Sequence, residues 1–190
     1  MQQLRLDFWQ TIQTIDVNDL VFIDEAGVNK AMVRLYARAV RGQRARGTRP
    51  QKRGKNVTMI GAIGLRGVIA SINLVGGTDR LTFEAFIQQK LIPELWSGAC
   101  VVLDNCTAHK GQDIEAAIRA AGAQLLYLPP YSPDFSPIEN FWSKVKSTLR
   151  SMGARTYQAL EQAISDAFNQ VCRQDIHNWF THCCYCTSPN

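Results

Sequence analysis

Residues 101–150 decide the fold, and they read VVLDNCTAHKGQDIEAAIRAAGAQLLYLPPYSPDFSPIENFWSKVKSTLR. An apolar run at residues 100–103 ends in a carboxylate, Asp104, and a second apolar run at residues 125–128 breaks at two prolines. Short apolar runs bounded by turn residues are typical of buried strands. Apolar residues at helical spacing follow each run, so the segment predicts strand, helix, strand, helix, which is the pattern of a parallel crossover unit.

The N-terminal half predicts strands that pair differently. Residues 20–23 form another short apolar run, and Asp24 follows it directly. Further strand candidates lie close together along the chain, at residues 32–40, 57–63 and 68–74. Short connections favour antiparallel pairing. The whole chain therefore predicts an α/β fold with a mixed sheet, in which an antiparallel meander is followed by parallel strands and helices flank the sheet.

The remaining segments predict helices, and the complete pattern suggests three parts of the chain. Residues 82–95 show helical spacing after a candidate N-cap, Thr82, and Pro93 predicts a kink or an end there. Other helical patterns cover residues 4–12, 113–121, 137–150, 156–171 and 175–182. A length of 190 residues fits one domain. We expect a lead-in segment at residues 1–19, a core at 20–150 and a C-terminal helical extension at 151–190 that packs on the core.

Composition indicates a cytoplasmic protein with reduced cysteines. No run of 18 or more apolar residues is present, and the N-terminus lacks the pattern of a secretory signal. We therefore interpret the six cysteines as free thiols. A zinc site in the tail is disfavoured because it lacks paired CxxC units, although potential ligands cluster there: His177, His182, Cys183, Cys184 and Cys186.

Positive charge is concentrated in one segment. The chain has a net charge of +5, yet no acidic residue lies between Glu25 and Asp79. Such a block is typical of a protein that binds a polyanion, and the alternative is a solvated loop without a partner. Nine of the 21 Lys and Arg residues form the block, which we call the basic segment: Arg34, Arg38, Arg41, Arg44, Arg46, Arg49, Lys52, Arg53 and Lys55.

Three carboxylates are candidate metal ligands. Asp24 and Asp104 each follow a predicted strand, and Glu139 lies in the first turn of the helix that begins at Pro137. Ligands gather at the carboxyl ends of strands in open sheets. Mg²⁺ prefers oxygen ligands, and two such ions ~3.5–4 Å apart activate a water or a 3′-hydroxyl and stabilise the leaving oxygen of a phosphodiester. Three clustered acids without metal would repel one another, so the cluster predicts a metal site.

Each acid also has a structural interpretation. Asp24 and Asp104 fit ordinary turn residues at strand ends. Glu139 fits a capping box, with Ser136 as N-cap and Pro137 at the first helical position.

Three polar neighbours are candidate auxiliary residues. His109 follows Asp104 by five positions and is a candidate for proton transfer or phosphate contact; the alternative is a polar residue on the approach to a helix. Asn105 and Asn140 each follow an acid, where they are candidates for orienting water or backbone groups.

Three blocks of the sequence resemble a known family. The blocks are LVFIDEAGVN at residues 20–29, VVLDNCTAHK at 101–110 and LPPYSPDFSPIENFWSKVK at 128–146. They resemble the catalytic blocks of the mariner-like DDE transposases, in the bacterial insertion-sequence branch. That family has a characteristic spacing of 34 residues between its second and third acids, and the 34 residues from 105 to 138 separate Asp104 from Glu139 here. The third block is specific enough to argue against a host nuclease, such as a junction resolvase or ribonuclease H.

The resemblance implies a fold, a site and a reaction. The fold is ribonuclease H-like, and the catalytic, metal-binding positions are Asp24, Asp104 and Glu139. The activity is cleavage at transposon ends by water with Mg²⁺ or Mn²⁺, in two ions, followed by strand transfer by the freed 3′-hydroxyl. The basic segment would hold DNA near the site, with Arg41, Arg44, Arg46, Arg49, Lys52, Arg53 and Lys55 as the contacts. A homodimer on DNA, associated with the bacterial nucleoid, is implied as well.

The resemblance has one departure. Family members carry N-terminal helix-turn-helix domains, whereas the first predicted strand here begins at residue 20. Either a separate helix-turn-helix polypeptide supplies end recognition, or the chain is a truncated copy. The alternative function is then a non-catalytic remnant that binds DNA or full-length transposase.

Overall fold

A computed structural model describes residues 2–106 and 111–186. Within them the sheet has five strands in the order β3-β2-β1-β4-β5, and the strands are β1 (Leu20–Val28), β2 (Val57–Gly64), β3 (Gly67–Val75), β4 (Cys100–Leu103) and β5 (Gln124–Tyr127). The pairs β1–β2 and β2–β3 are antiparallel, while β1–β4 and β4–β5 are parallel. The predicted mixed sheet is confirmed.

Helices cover both faces of the sheet. They are α1 (Gln2–Ile12), α2 (Arg80–Phe86), α3 (Gln112–Ala120), α4 (Pro137–Met152), α5 (Tyr157–Asn169) and α6 (Arg173–His182). A π-helical turn, Ile87–Leu91, and a 3-10 turn, Ile92–Glu94, continue α2. The helix therefore becomes irregular before Pro93, where the sequence predicted a kink or an end. Other 3-10 turns are Val17–Asp19 and Pro133–Phe135. No helix in these ranges is long and apolar enough to cross a membrane.

Strand alternation divides the core into two layers. In β1, Leu20 and Phe22 face a layer that includes buried residues of α4, α5 and α6. Val21 and Ile23 face the opposite layer, which includes buried residues of α2 and α3. Successive side chains in a strand point to opposite faces, so the parity of a residue in β1 decides which helices it meets.

The strand predicted at residues 32–40 is wrong. The segment has no regular secondary structure, and residues 34–40 are all exposed. A strand needs a hydrogen-bonding neighbour and a buried face, and this segment has neither among the described residues. Strand β1 instead continues past its predicted end at Ile23, because its last residues pair with β2 from Asp24↔Gly61 to Val28↔Val57.

Two helix ends also differ from the predictions. Asp79, not Thr82, caps α2: its carboxylate accepts hydrogen bonds from the backbone N–H and the hydroxyl of Thr82, at 2.8 and 2.6 Å. Helix α6 begins at Arg173, two residues before the predicted pattern at residues 175–182, and Ile176 and Phe180 bury one side of it.

The C-terminal helices pack directly on α4. The ring of Phe141 lies 5.3 Å from that of Phe168 and 6.2 Å from that of Trp179, measured between centroids. Stacked and edge-on aromatic pairs at such distances are favourable. Helices α5 and α6 therefore hold α4 against the sheet.

Candidate active site

Strand register brings Asp24 and Asp104 together. The parallel pairs Leu20↔Cys100, Val21↔Val101 and Phe22↔Val102 set the register of β1 and β4. Asp24 follows the last of these pairs by two residues in β1, and Asp104 follows it by two residues just after β4. Asp24 has the parity of Phe22, which faces the layer that contains α4, and Asp104 lines the same cleft as Asp24.

Helix α4 brings Glu139 to the same place. Ile138, Phe141 and Trp142 are buried against this face of the sheet, so the first turn of α4 lies close to it. The side chains of Asp24, Asp104 and Glu139 line one cleft of about 440 Å³. Asp24 and Asp104 are half-buried, whereas Glu139 is exposed.

The capping-box interpretation of Glu139 is wrong. The Ser136 side chain accepts no hydrogen bond from the first turn of α4, and the Ser136 N–H donates to the carbonyl of Pro133 at 3.0 Å. A capping box requires both reciprocal bonds. Glu139 therefore does not serve the helix end in that way, and its carboxylate lines the cleft.

A glycine in β2 sets how close α4 lies to Asp24. Gly61 pairs with Asp24 across the antiparallel ladder. A Cβ at Gly61 would lie 2.9 Å from Cη2 of Trp142 and 3.2 Å from its Cζ2. Trp142 follows Glu139 by three positions, roughly one helical turn. The absence of a side chain at Gly61 lets this turn of α4 approach the sheet.

The loop before α4 forms another wall of the cleft. Pro130, Tyr131, Ser132 and Pro133 line it together with the acids. Tyr131 has φ of 54°, in the left-handed region that is uncommon for residues other than glycine, and its side chain is 89% exposed. The sequence marked this loop as turn-rich and as part of the most specific family block, but it did not assign the loop residues to the wall of the site.

The auxiliary residues lie in different places. Asn105 is exposed and lines the cleft, and Asn140 is half-buried and is not among the cleft residues. His109 lies outside the described residues. Cys106, which the sequence did not single out, lines the cleft, and its N–H donates to Oδ1 of Asp104 at 3.1 Å. This bond accounts for part of the orientation of the Asp104 carboxylate.

The donor chemistry fits a hard divalent ion. The cleft offers three carboxylates, which are the ligands Mg²⁺ and Mn²⁺ favour. In residues 2–106 and 111–186, no group of three His, Cys, Asp or Glu side chains converges on a single point as a metal site. Mg²⁺ does not require such a group, because it is usually held by one or two carboxylates and completed by waters and substrate phosphates.

The basic segment lies away from the acids. Residues 34–49 of it are exposed, and Arg34, Arg46 and Arg49 line a separate depression with Arg150 and Arg155. Arg150 follows Glu139 by eleven positions on α4, which corresponds to about 16 Å along a helix. The structure thus places part of the predicted DNA-binding residues near the end of α4 opposite the cleft.

Both ends of that segment are attached to the helices. The guanidinium of Arg155 donates to the carbonyls of Lys30 and Met32, at 3.1 and 3.0 Å. The hydroxyl of Tyr157 accepts a hydrogen bond from the N–H of Lys55 at 2.7 Å. The segment is therefore fixed where it leaves and rejoins the fold.

All six cysteines are free thiols in the structure. Cys183 is buried and Cys184 is exposed, so the adjacent thiols face different surroundings. Burial raises the pKa of the Cys100 thiol to about 11, which keeps it neutral at physiological pH.

The fold and the cleft define the class of protein. An antiparallel β3-β2-β1 unit beside parallel β4 and β5, with one carboxylate within β1 and another directly after β4 on the same cleft, is a ribonuclease H-like α/β domain. The sequence profile described as DDE superfamily endonuclease matches residues 19–162. The chain belongs to this family, and the predicted class of DDE enzyme is confirmed at that level.

Solved structures show the same fold. The Mos1 transposase paired-end complex with left transposon end has a TM-score of 0.76 at 16% identity, covering 95% of this chain and 56% of that one. The mariner Mos1 paired-end complex with Mg has a TM-score of 0.70 at 16% identity, covering 97% and 59%. The catalytic domain of Mos1 mariner transposase has a TM-score of 0.63 at 13% identity, covering 96% and 87%.

The low sequence identity and the partial coverage of these structures limit what they establish about this chain. At such identities they establish the ribonuclease H-like fold, as predicted. The chain spans little more than half the length of the Mos1 chains in the paired-end complexes. The comparison with curated proteins gives no match.

Proposed function

We propose that this chain is the catalytic domain of a transposase that cleaves and joins DNA at the ends of a bacterial insertion sequence. The observation that carries the proposal is the meeting of Asp24, Asp104 and Glu139, distant in sequence, in one cleft of a DDE superfamily endonuclease fold. Structures of Mos1, which shares this fold, contain transposon-end DNA and, in separate crystals, Mn or Mg. Residues 20–150 form the catalytic core of the proposed enzyme, and residues 151–190 form its extension.

In this proposal each acid has a geometric role. Asp24 and Asp104 stand at adjoining strands and share the cleft floor, where they bind divalent metal between them. Glu139 faces them from α4 and completes the carboxylate set. Two Mg²⁺ or Mn²⁺ ions, when bound, would activate the attacking oxygen and stabilise the leaving oxygen of the phosphodiester.

The chain's own groups prepare the site. The Cys106 N–H donates to Oδ1 of Asp104 and so helps to orient this carboxylate in the cleft. The cleft is open to solvent at Glu139, which leaves room for a DNA strand as well as the attacking water or 3′-hydroxyl. Asn105 and His109 stay candidate contacts to phosphate or water.

A nicking assay tests this proposal. We expect the purified chain to convert supercoiled plasmid to open circles with Mn²⁺ and not with EDTA. A labelled oligonucleotide that ends in a free 3′-hydroxyl is expected to be joined to the plasmid under the same conditions. DNA binding without any metal-dependent cleavage or joining would instead support the non-catalytic remnant.

The basic segment makes a separate prediction. We expect replacement of Arg44, Arg46 and Arg49 by Ala to weaken plasmid binding and to reduce the slope of log K against log salt by up to about 2.7, since each lost phosphate contact removes about 0.9. Fluorescence anisotropy at several salt concentrations measures the slope.

The matched control removes the same charge elsewhere. Lys90, Arg119 and Arg173 are exposed and lie outside the basic segment. Their replacement by Ala lowers the net charge equally, and we expect a smaller change in slope. Equal slopes for the two triple variants would assign DNA binding to overall charge and remove the role of the segment.

End recognition and assembly complete the proposal. A helix-turn-helix region, either in a separate polypeptide or in the same protein, would select the terminal repeats, and two copies of the domain would act together on DNA in the bacterial cytoplasm. Analytical ultracentrifugation with and without transposon-end DNA tests the dimer.

A further inference from the structure

Helix α1 contacts the loop that forms one wall of the cleft. The loop, residues 130–136, connects β5 to α4 and is called the cleft loop here. Arg5 of α1 donates from Nη1 to Oγ of Ser132 at 2.8 Å and to Oδ1 of Asp134 at 3.1 Å. Its Nη2 donates to Oδ2 of Asp134 at 2.5 Å. Two parallel N–H bonds to one carboxylate form the paired geometry in which Arg is most selective.

Aromatic contacts strengthen the same attachment. The Arg5 guanidinium lies 4.1 Å from the centre of the Phe135 ring. The rings of Phe8 and Trp9 stack on Phe135, each with centroids 5.6 Å apart. From the C-terminal side, the hydroxyl of Tyr185 donates to the carbonyl of Phe135 at 2.7 Å.

The other side of the cleft loop faces the acids. Tyr131, Ser132 and Pro133 line the cleft, and the loop ends at Ser136, one residue before α4 begins. Tyr131 holds φ of 54°, and such a conformation persists in residues other than glycine only when the surroundings fix it. Arg5 supplies the side-chain hydrogen bonds to Ser132 and Asp134 that help to fix the next residues of the loop.

We propose that Arg5 is a positioning residue for the active site: α1 braces the cleft loop from behind and so sets where the loop and the first turn of α4, with Glu139, stand in the cleft. The proposal deepens the proposed function and rests on it. Helix α1 lies before residues 19–162, the part that the family profile matches. Arg5 thus lies outside the matched region, while its partners Ser132 and Asp134 lie inside it.

The chemistry of the contact requires arginine. A lysine ammonium is a point donor and cannot bind both oxygens of Asp134 in a fixed plane while also covering Phe135. Hydrogen bonding to Arg5 lowers the pKa of the Asp134 carboxyl, so the partner is ionised at neutral pH. Both the charge of Asp134 and the planar pair of hydrogen bonds therefore favour arginine at position 5.

The test uses the full chain and two readouts. We expect Arg5→Lys to lower Mn²⁺-dependent plasmid nicking at saturating DNA by about 10- to 100-fold, because small displacements of catalytic groups cost that much. The DNA concentration at half-maximal rate is expected to stay unchanged. Hydrogen exchange followed by mass spectrometry is expected to speed up in the peptide spanning residues 131–139 and to stay unchanged in β1 and β4.

Variants of Asp134, a charge reversal and a control on α1 test the same contact. Asp134→Asn is expected to reproduce both effects, and the double reversal Arg5→Asp with Asp134→Arg is expected to be more active and better protected than either single reversal. Gln3→Ala is the matched control on α1: it removes a 2.7 Å bond to Asp7 without touching the loop, and should change neither readout.

The two proposals fail in different ways. Wild-type exchange at residues 131–139 in Arg5→Lys and Asp134→Asn would overturn the brace, whatever the activity. Faster exchange with full nicking activity would overturn it as well, because the loop would then move without consequence for the site. If the wild-type chain does not nick, the proposed function fails, and exchange alone then decides whether Arg5 positions the loop.

Discussion

Asp104→Asn is expected to abolish metal-dependent nicking, with a loss of at least about 1,000-fold. Metal ions contribute several kcal/mol of transition-state stabilisation, and each 1.36 kcal/mol corresponds to about tenfold in rate. An amide in place of the carboxylate keeps the shape and the Cys106 contact but removes the charge that would hold the ion. We expect Asp24→Asn to show a similar loss. Plasmid conversion followed over time with Mn²⁺ and with Mg²⁺ measures the rates.

Controls separate the site from general charge effects. Asp113→Asn and Glu161→Gln alter exposed acids on α3 and α5, away from the cleft, and are expected to nick at the wild-type rate. Each substitution also changes the net charge by the same amount as Asp104→Asn. Nicking by Asp104→Asn at the wild-type rate would show that the cleft is not the source of the activity.

A second measurement shows whether metal reaches the acids. We expect Mn²⁺ to raise the thermal unfolding temperature of the wild-type chain and not that of Asp104→Asn, since an ion that binds only the folded state stabilises it. This readout does not depend on DNA or on turnover. A shift of equal size in both proteins would place the ion elsewhere.

The three acids were predicted from local signals together with the family resemblance, and the structure places all three on one cleft. Asp24 and Asp104 come after continuous apolar runs, and these runs are β1 and β4 in the structure. Glu139 follows Pro137, which fixes the start of α4. The parallel pairing of β1 and β4 then brings the acid within β1 and the acid directly after β4 to the same cleft.

Features that depend on contacts between distant segments were not foreseeable. Residues 32–40 alternate like a strand, yet their apolar members Leu35, Tyr36 and Val40 are exposed, and no strand of the described part of the chain pairs with them. The contact between Arg5 and Asp134 joins residues 129 positions apart, and no local pattern encodes it. Gly61 was likewise not foreseeable, because the need for glycine there depends on the indole of Trp142 on α4.

Gly61→Ala is expected to destabilise the fold and to impair the site together. A Cβ placed 2.9 Å from Cη2 of Trp142 requires the indole or α4 to move. Trp142 is only 2% exposed and lies among buried side chains, so the movement has little free space. Overpacking of a core costs about 1–3 kcal/mol in the free energy of unfolding. Urea denaturation measures this loss, and nicking measures the displacement of Glu139.

Gly27→Ala is the matched control for this prediction. Gly27 lies in the neighbouring strand β1, and a Cβ there would have no atom within 4 Å. The same chemical change is therefore expected to leave stability and nicking close to wild type. A loss at Gly27 as large as that at Gly61 would mean that strand glycines matter here for their backbone rather than for the approach of α4.

A compensating substitution identifies the contact. Trp142→Phe removes the indole atoms that an alanine at residue 61 would meet, and it also removes a buried Nε1 that has no hydrogen-bond partner in the described part of the chain. We expect the double variant to lose less stability and less activity than the sum of the single losses, as coupled neighbours do. Additive losses would show that Gly61 does not set the distance between α4 and the sheet, and the position of Glu139 would then depend on the cleft loop and α1 instead.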